Sequence, residues 1–241
     1  VRPLQYDYRG HHFFRLAFCR NPLANHCLIG SILFWRRNGN SCCRGIIFFL
    51  MIPTEKQAKE LWEKYGLPKQ KRIHCALVAK VAEKLATQLK IKTLNFKINE
   101  QLLITAALLH DIDKNVPKLL GEKHPDTAVR ILREEGMGEV ADVVKTHSLN
   151  AILDPAIAPA SLEEKILFLA DKMVKYEIIG VDARFRLWNE EHLPPDAQAV
   201  LDAAYPKVKE LEEEVLGLST IAGHQSLQNA GHTSRAPLHF P

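Results

Sequence analysis

The chain has 241 residues, 46% hydrophobic and 25% charged, ordinary globular values that suggest one domain with appendages. The formal charge of +4 is unevenly spread: residues 1–50 hold seven Arg and one Asp, a net of +6, whereas residues 51–241 hold 25 basic and 27 acidic residues, a net of −2. The body is therefore nearly neutral, and the overall basicity is no ground for a nucleic-acid partner.

Cysteine breaks at the same place. Cys19, Cys27, Cys42 and Cys43 lie in the first fifty residues without CxxC spacing, which speaks against a zinc ribbon or a disulfide framework. The single Cys75 beyond them fits a reducing cytosol, so a cytoplasmic protein is expected. The apolar runs 27–35 and 46–52 are too short for a spanning helix, which needs roughly 20 residues, and are not placed as in a signal peptide. No membrane partner is expected. Met51 opens "MIPTEKQAKELWEKYGLP", which reads like a natural start. Residues 1–50 are thus expected to be either upstream sequence read through from a misplaced start or a poorly ordered extension.

From there helix signals follow one another. Thr54-Glu55-Lys56-Gln57 is a capping box, in which the Thr and Gln side chains each satisfy the other's backbone donor. Its helix should run to about Tyr65 and stop at Gly66, with Pro68 beyond. Residues 71–90 carry Ile73, Leu77, Val78, Val81, Leu85 and Leu89 at a period near 3.6. Asn99 caps a strongly apolar helix through Leu109, and another begins near His124-Pro125 and ends at Gly136. Residues 138–147 make a short helix. Ser161 opens a second capping box with Glu164, starting a helix through about Tyr176. After Pro194-Pro195, residues 196–216 form a charged last helix. Residues 217–241 lack Lys, Asp and Glu and are expected to be a flexible tail. The expected fold is all-α, a compact bundle of six or seven helices over residues 51–216.

Within this body His is rare, and His74, His110, His124 and His147 fall at helix ends or on apolar faces. Asp111 and Asp171, the latter in "ILFLADKMV", sit in similar places, where a carboxylate is costly unless paired or bound to a cation. Each has a plain structural reading alone. His74 would be a satisfied core histidine, His110-Asp111 a helix C-terminus, His124 a loop residue, His147 a C-terminal His, and Asp171 a polar-face residue. Together they are six metal-competent side chains on five helices. Imidazole with carboxylate suits divalent transition metals such as Fe, Mn, Co, Ni or Zn. Adjacent residues point about 100° apart on a helix, so His110 and Asp111 can both reach one centre only at a helix end.

The ordered set His74, His110-Asp111, His124, His147 and Asp171 resembles the HD-domain metal-dependent phosphohydrolases, and "HDIDK" looks like the signature of their small HDIG-type subgroup. The resemblance runs from about Ile52 to Glu191. It implies that His74, His110, Asp111 and Asp171 hold one divalent metal, and that Asp111 bridges to a second held by His124 and His147. A metal-activated water would then attack the phosphorus of a nucleotide or related phosphoester or phosphoanhydride. Asp111 and Lys114 are the implied catalytic pair. Lys114 could also pair with a substrate phosphate or stand as a solvated helix-end lysine. Arg184, in "DARFRLW", is a candidate phosphate grip whose other reading is an exposed or capping role. Asp113 stands where the family usually has Gly; it adds a negative charge or orients a ligand His. Two further readings share the ligand set: a diiron HD-type oxygenase and a non-catalytic nucleotide-sensing HD module.

Overall fold

The computed structural model describes residues 31–38, 41–48, 52–92 and 97–218. The chain divides into two units, Val1–Leu50 and Met51–Pro241. In the first, strands β1 (Ser31–Asn38) and β2 (Ser41–Phe48) pair antiparallel with Asn38 opposite Ser41. The helix-centred reading did not foresee them. Ile32, Phe34, Trp35, Ile46, Ile47 and Phe48 are β-branched or aromatic, and such residues favour a strand. The 217–241 tail lies outside the described residues beyond Leu218.

The second unit is all-α. Both capping boxes form as the sequence predicts, Thr54 with Gln57 opening α1 (Glu55–Lys64) and Ser161 with Glu164 opening α6 (Leu162–Lys172). Gly66 follows α1 with φ +61, a backbone conformation that selects glycine. Next come α2 (Lys69–Lys92) and α3 (Glu100–Leu109), the latter capped by the Asn99 side chain, which accepts from the Leu102 amide. Then follow α4 (Asp126–Glu134), α5 (Gly138–Lys145) and a 3₁₀ turn at Leu149–Leu153. After α6 come α7 (Val181–Glu190) and α8 (Pro195–Leu218).

Among the described residues there are eight α-helices against the six or seven expected, and the additional one is α7. The helix expected to reach Tyr176 ends at Lys172 instead. The chain folds back there, with Val174 bridged to Ile178 and the amides of Ile179 and Gly180 donating to the Met173 carbonyl. Gly180 then precedes α7 with φ 83 and supplies no side-chain cap, so the sequence carries no start signal for that helix.

α3 is apolar on nearly every side, and Leu103, Ala106, Ala107, Leu108 and Leu109 are all buried. It packs against α2, α5 and α6, which makes it the centre of the core. Trp62 from α1 is buried over it and donates from Nε1 to the Leu108 carbonyl at 2.8 Å, which gives it a core role. This arrangement brings the C-terminal ends of α3, α5 and α6 beside the first half of α2. Among the described residues no helix is long and apolar enough to cross a membrane.

Candidate metal centre

Five segments deliver the six predicted side chains. His74 stands on α2 and Asp171 in the last turn of α6. His110 is the C-cap of α3, and the winding continues only as turns, with Ile112 N donating to Leu109 O and Lys114 N to Asp111 O. That loosened helix end lets adjacent His110 and Asp111 both face inward. His124 precedes α4, and His147 lies just past α5, its amide on the Val144 carbonyl.

All six come together. His74 Nε2 lies 3.2 Å from His110 Nε2 and 2.9 Å from Asp171 Oδ1, which is 3.5 Å from His110 Nε2. On the other side His124 Nε2 lies 2.9 Å from His147 Nε2 and 3.6 Å from Asp111 Oδ1. Two groups result that could hold metal, His74-His110-Asp111 and Asp111-His124-His147, with Asp111 common to both. His110 and His147 themselves meet edge to face at 5.0 Å between ring centroids.

Hydrogen bonding tests whether cations fit. His74 Nδ1 lies 2.9 Å from the Lys175 carbonyl, His110 Nδ1 2.8 Å from that of Ala107, and His147 Nδ1 2.5 Å from that of Val144. His124 Nδ1 lies 3.0 and 3.2 Å from the two carboxylate oxygens of Asp113. Carbonyl and carboxylate oxygens only accept, so each Nδ1 is the donor, and a ring that carries no second proton turns a bare Nε2 inward. Lone pair would then face lone pair across 3.2 Å in one group and 2.9 Å in the other. A shared cation resolves that repulsion, and neutral imidazole with carboxylate is the donor set that divalent transition metals take. The residues fit the group.

Asp113 is buried and grips the outer nitrogen of His124, fixing tautomer and ring direction. Of the two readings offered by the sequence, orientation of a ligand His is the one this geometry matches.

The surrounding charges are cationic. Lys71 Nζ lies 2.9 Å from Asp111 Oδ2, and Lys114 Nζ 3.0 Å from Oδ1. Burial alone would raise the Asp111 carboxyl, but His110 and these two ammonium groups hold it far below the usual carboxylate range. Lys71 shows the reciprocal effect: burial would lower it, and the Asp111 carboxylate raises it instead. His147 is held well below the ordinary imidazole range, by burial first and then by His110 and His124.

Arg184 belongs to neither group. Its guanidinium stacks over Trp188 at 4.3 Å, and its Nε is buried with no hydrogen-bond partner among the described residues. Burial lowers its pKa while the Asp171 carboxylate opposes that shift. Sequence reasoning missed Lys71 and Lys172. Lys71 was findable in principle, because it sits one turn before His74 and so shares its helix face.

Residues 72–175 match the family model described as HD domain. This segment is an HD domain. All six predicted ligands lie inside it, whereas Arg184 lies beyond its end. HD domains belong broadly to the metal-dependent phosphohydrolases, and the match is to the HD domain as a whole rather than to the HDIG subgroup. No curated protein and no solved structure matches the chain.

Proposed function

We propose that this protein is a metal-dependent phosphohydrolase acting on a nucleotide or a related phosphoester or phosphoanhydride. The observation that carries the reading is the pair of His/Asp groups sharing Asp111, with Lys71 and Lys114 on its two oxygens. His74, His110, Asp111 and Asp171 would hold one divalent cation, and Asp111, His124 and His147 a second. Such cations acidify water and draw off the charge that develops on phosphoryl oxygens.

The chain's own residues supply the rest. Nδ1 donation to Lys175, Ala107, Val144 and Asp113 aims the Nε2 atoms of all four imidazoles inward. The side chains of Lys71 and Lys114 are partly exposed, so their ammonium groups can meet a phosphate arriving from solvent. Arg184, with an unpartnered buried Nε, suits a second anionic group of the substrate. These cations favour a phosphate substrate over dioxygen, which needs no anion grip.

The test is phosphate release from a panel of nucleotides and phosphoesters, with Mn²⁺, Fe²⁺, Co²⁺, Ni²⁺ or Zn²⁺, by wild type and Asp111→Ala. Metal-dependent release lost in Asp111→Ala is expected. Full metal loading of wild type with no release from any substrate would overturn the reading.

A further inference from the structure

A lysine directly follows the ligand candidate Asp171, and it is buried to 2% exposure. Lysine is almost never so buried unless its charge is paired. Here Lys172 Nζ donates to Asp171 Oδ2 at 2.6 Å and to the His147 carbonyl at 2.6 Å, and stands 4.4 Å over the Phe168 ring. One ammonium thus joins Asp171, the carboxylate beside His74 and His110, to the backbone of a histidine in the second His/Asp group.

Each contact has a geometric consequence. With Oδ2 engaged by Lys172, Asp171 presents Oδ1 to His74 and His110. Carboxylate rotation, which would exchange the two oxygens, would break a charge-assisted bond. On the other side, His147 lies beyond the last turn of α5, where backbone frays readily. Its carbonyl is tied to α6 through Lys172, and its ring is tied to Val144. Lys172 therefore links the backbone of His147 directly to the carboxylate of Asp171.

We infer that Lys172 is a positioning residue that couples the two halves of the metal centre, orienting Asp171 as a one-oxygen ligand and holding His147 in register with it. The inference rests on the proposed metal reading.

Lys172→Met tests it, since Met keeps the apolar stem and removes the ammonium that stands over Phe168 and binds Asp171 and the His147 carbonyl. Mn²⁺ affinity is read by calorimetry, and the electron paramagnetic resonance spectrum reports exchange coupling between two ions. Expected is a loss of about 10–100-fold in affinity, the usual cost of removing a partner that orients a ligand, together with loss of the coupled spectrum. Ile166→Val, a buried change in the same helix, should lower Tm while leaving both readouts at wild-type values; a merely structural lysine would behave the same way. Wild-type affinity and an intact coupled spectrum in Lys172→Met would overturn the inference. A wild type that binds no Mn²⁺ would instead overturn the metal reading beneath it. Should Lys172→Met fail to fold, ¹⁵N-lysine spectra of the metal-loaded wild type decide. Slowly exchanging Lys172 ammonium protons are expected, and protons exchanging at the rate of a solvent-exposed lysine would contradict the inference.

Discussion

The two halves of the centre are built from different material. His74, His110 and Asp171 sit on or at the ends of helices that pack directly on the core, and His110 is fully buried. His124 stands in the connection between α3 and α4, its side chain 26% exposed. A ligand borne by a packed helix inherits the stiffness of the core, while one borne by a connection opens at lower cost. The second kind needs a dedicated brace, and Asp113 provides it. Divalent cations should accordingly bind first, and more tightly, on the side of His74 and His110.

The largest effect expected is that of Asp111→Ala, because Asp111 belongs to both groups. Both ions should be lost, and phosphate release should fall by at least about a thousandfold, in line with the several kcal/mol that metal ions supply to phosphoryl transfer. Retention of either ion at wild-type affinity, read by metal analysis, would break the shared-carboxylate picture. The two halves separate next. His124→Ala should keep the tighter ion and lose the weaker, whereas His74→Ala should weaken the tighter one. The reverse pattern in a metal titration would invert the comparison. Asp113→Asn is milder. It keeps the shape and removes the charge that aligns His124, so it should weaken only the second ion, by about 10-fold or somewhat more.

The smallest effect concerns the connection itself. Glu122 accepts from Arg130 Nε at 2.6 Å, from the Leu119 amide at 2.9 Å and from Thr127 Oγ1 at 2.8 Å, closing the loop that carries His124. Arg130 first, then the Leu119 amide, lowers the Glu122 carboxyl from 4.5 to about 2. A folded pKa below the unfolded one gives stability that is present above pH 4.5 and is lost as pH falls from there through about 2. Amide exchange of residues 119–127, corrected for its intrinsic rate, should therefore quicken across that window, and Glu122→Gln should abolish the dependence. An unchanged window in Glu122→Gln would place the cause elsewhere.

The convergence of the six side chains was legible because His and Asp are conspicuous on apolar helix faces, where burial without a partner is costly. Capping boxes made the starts of α1 and α6 legible for a similar reason: their chemistry is local. Lys172 was not legible, since lysine is the common residue of solvated faces and nothing local tells a buried one from an exposed one. The bond from Asp113 to His124 joins residues eleven apart through a connection whose path only the folded chain fixes. α7 was hidden because Gly180 begins it by backbone geometry rather than by a side-chain cap.

Stepwise Mn²⁺ titration of the wild-type chain, followed by calorimetry and paramagnetic resonance, tests the centre most directly. Two ions per chain are expected, the first tight and uncoupled, the second weaker and exchange-coupled to the first through the shared Asp111. Saturation at a single ion, or two ions that never couple, would contradict a centre built on that shared carboxylate.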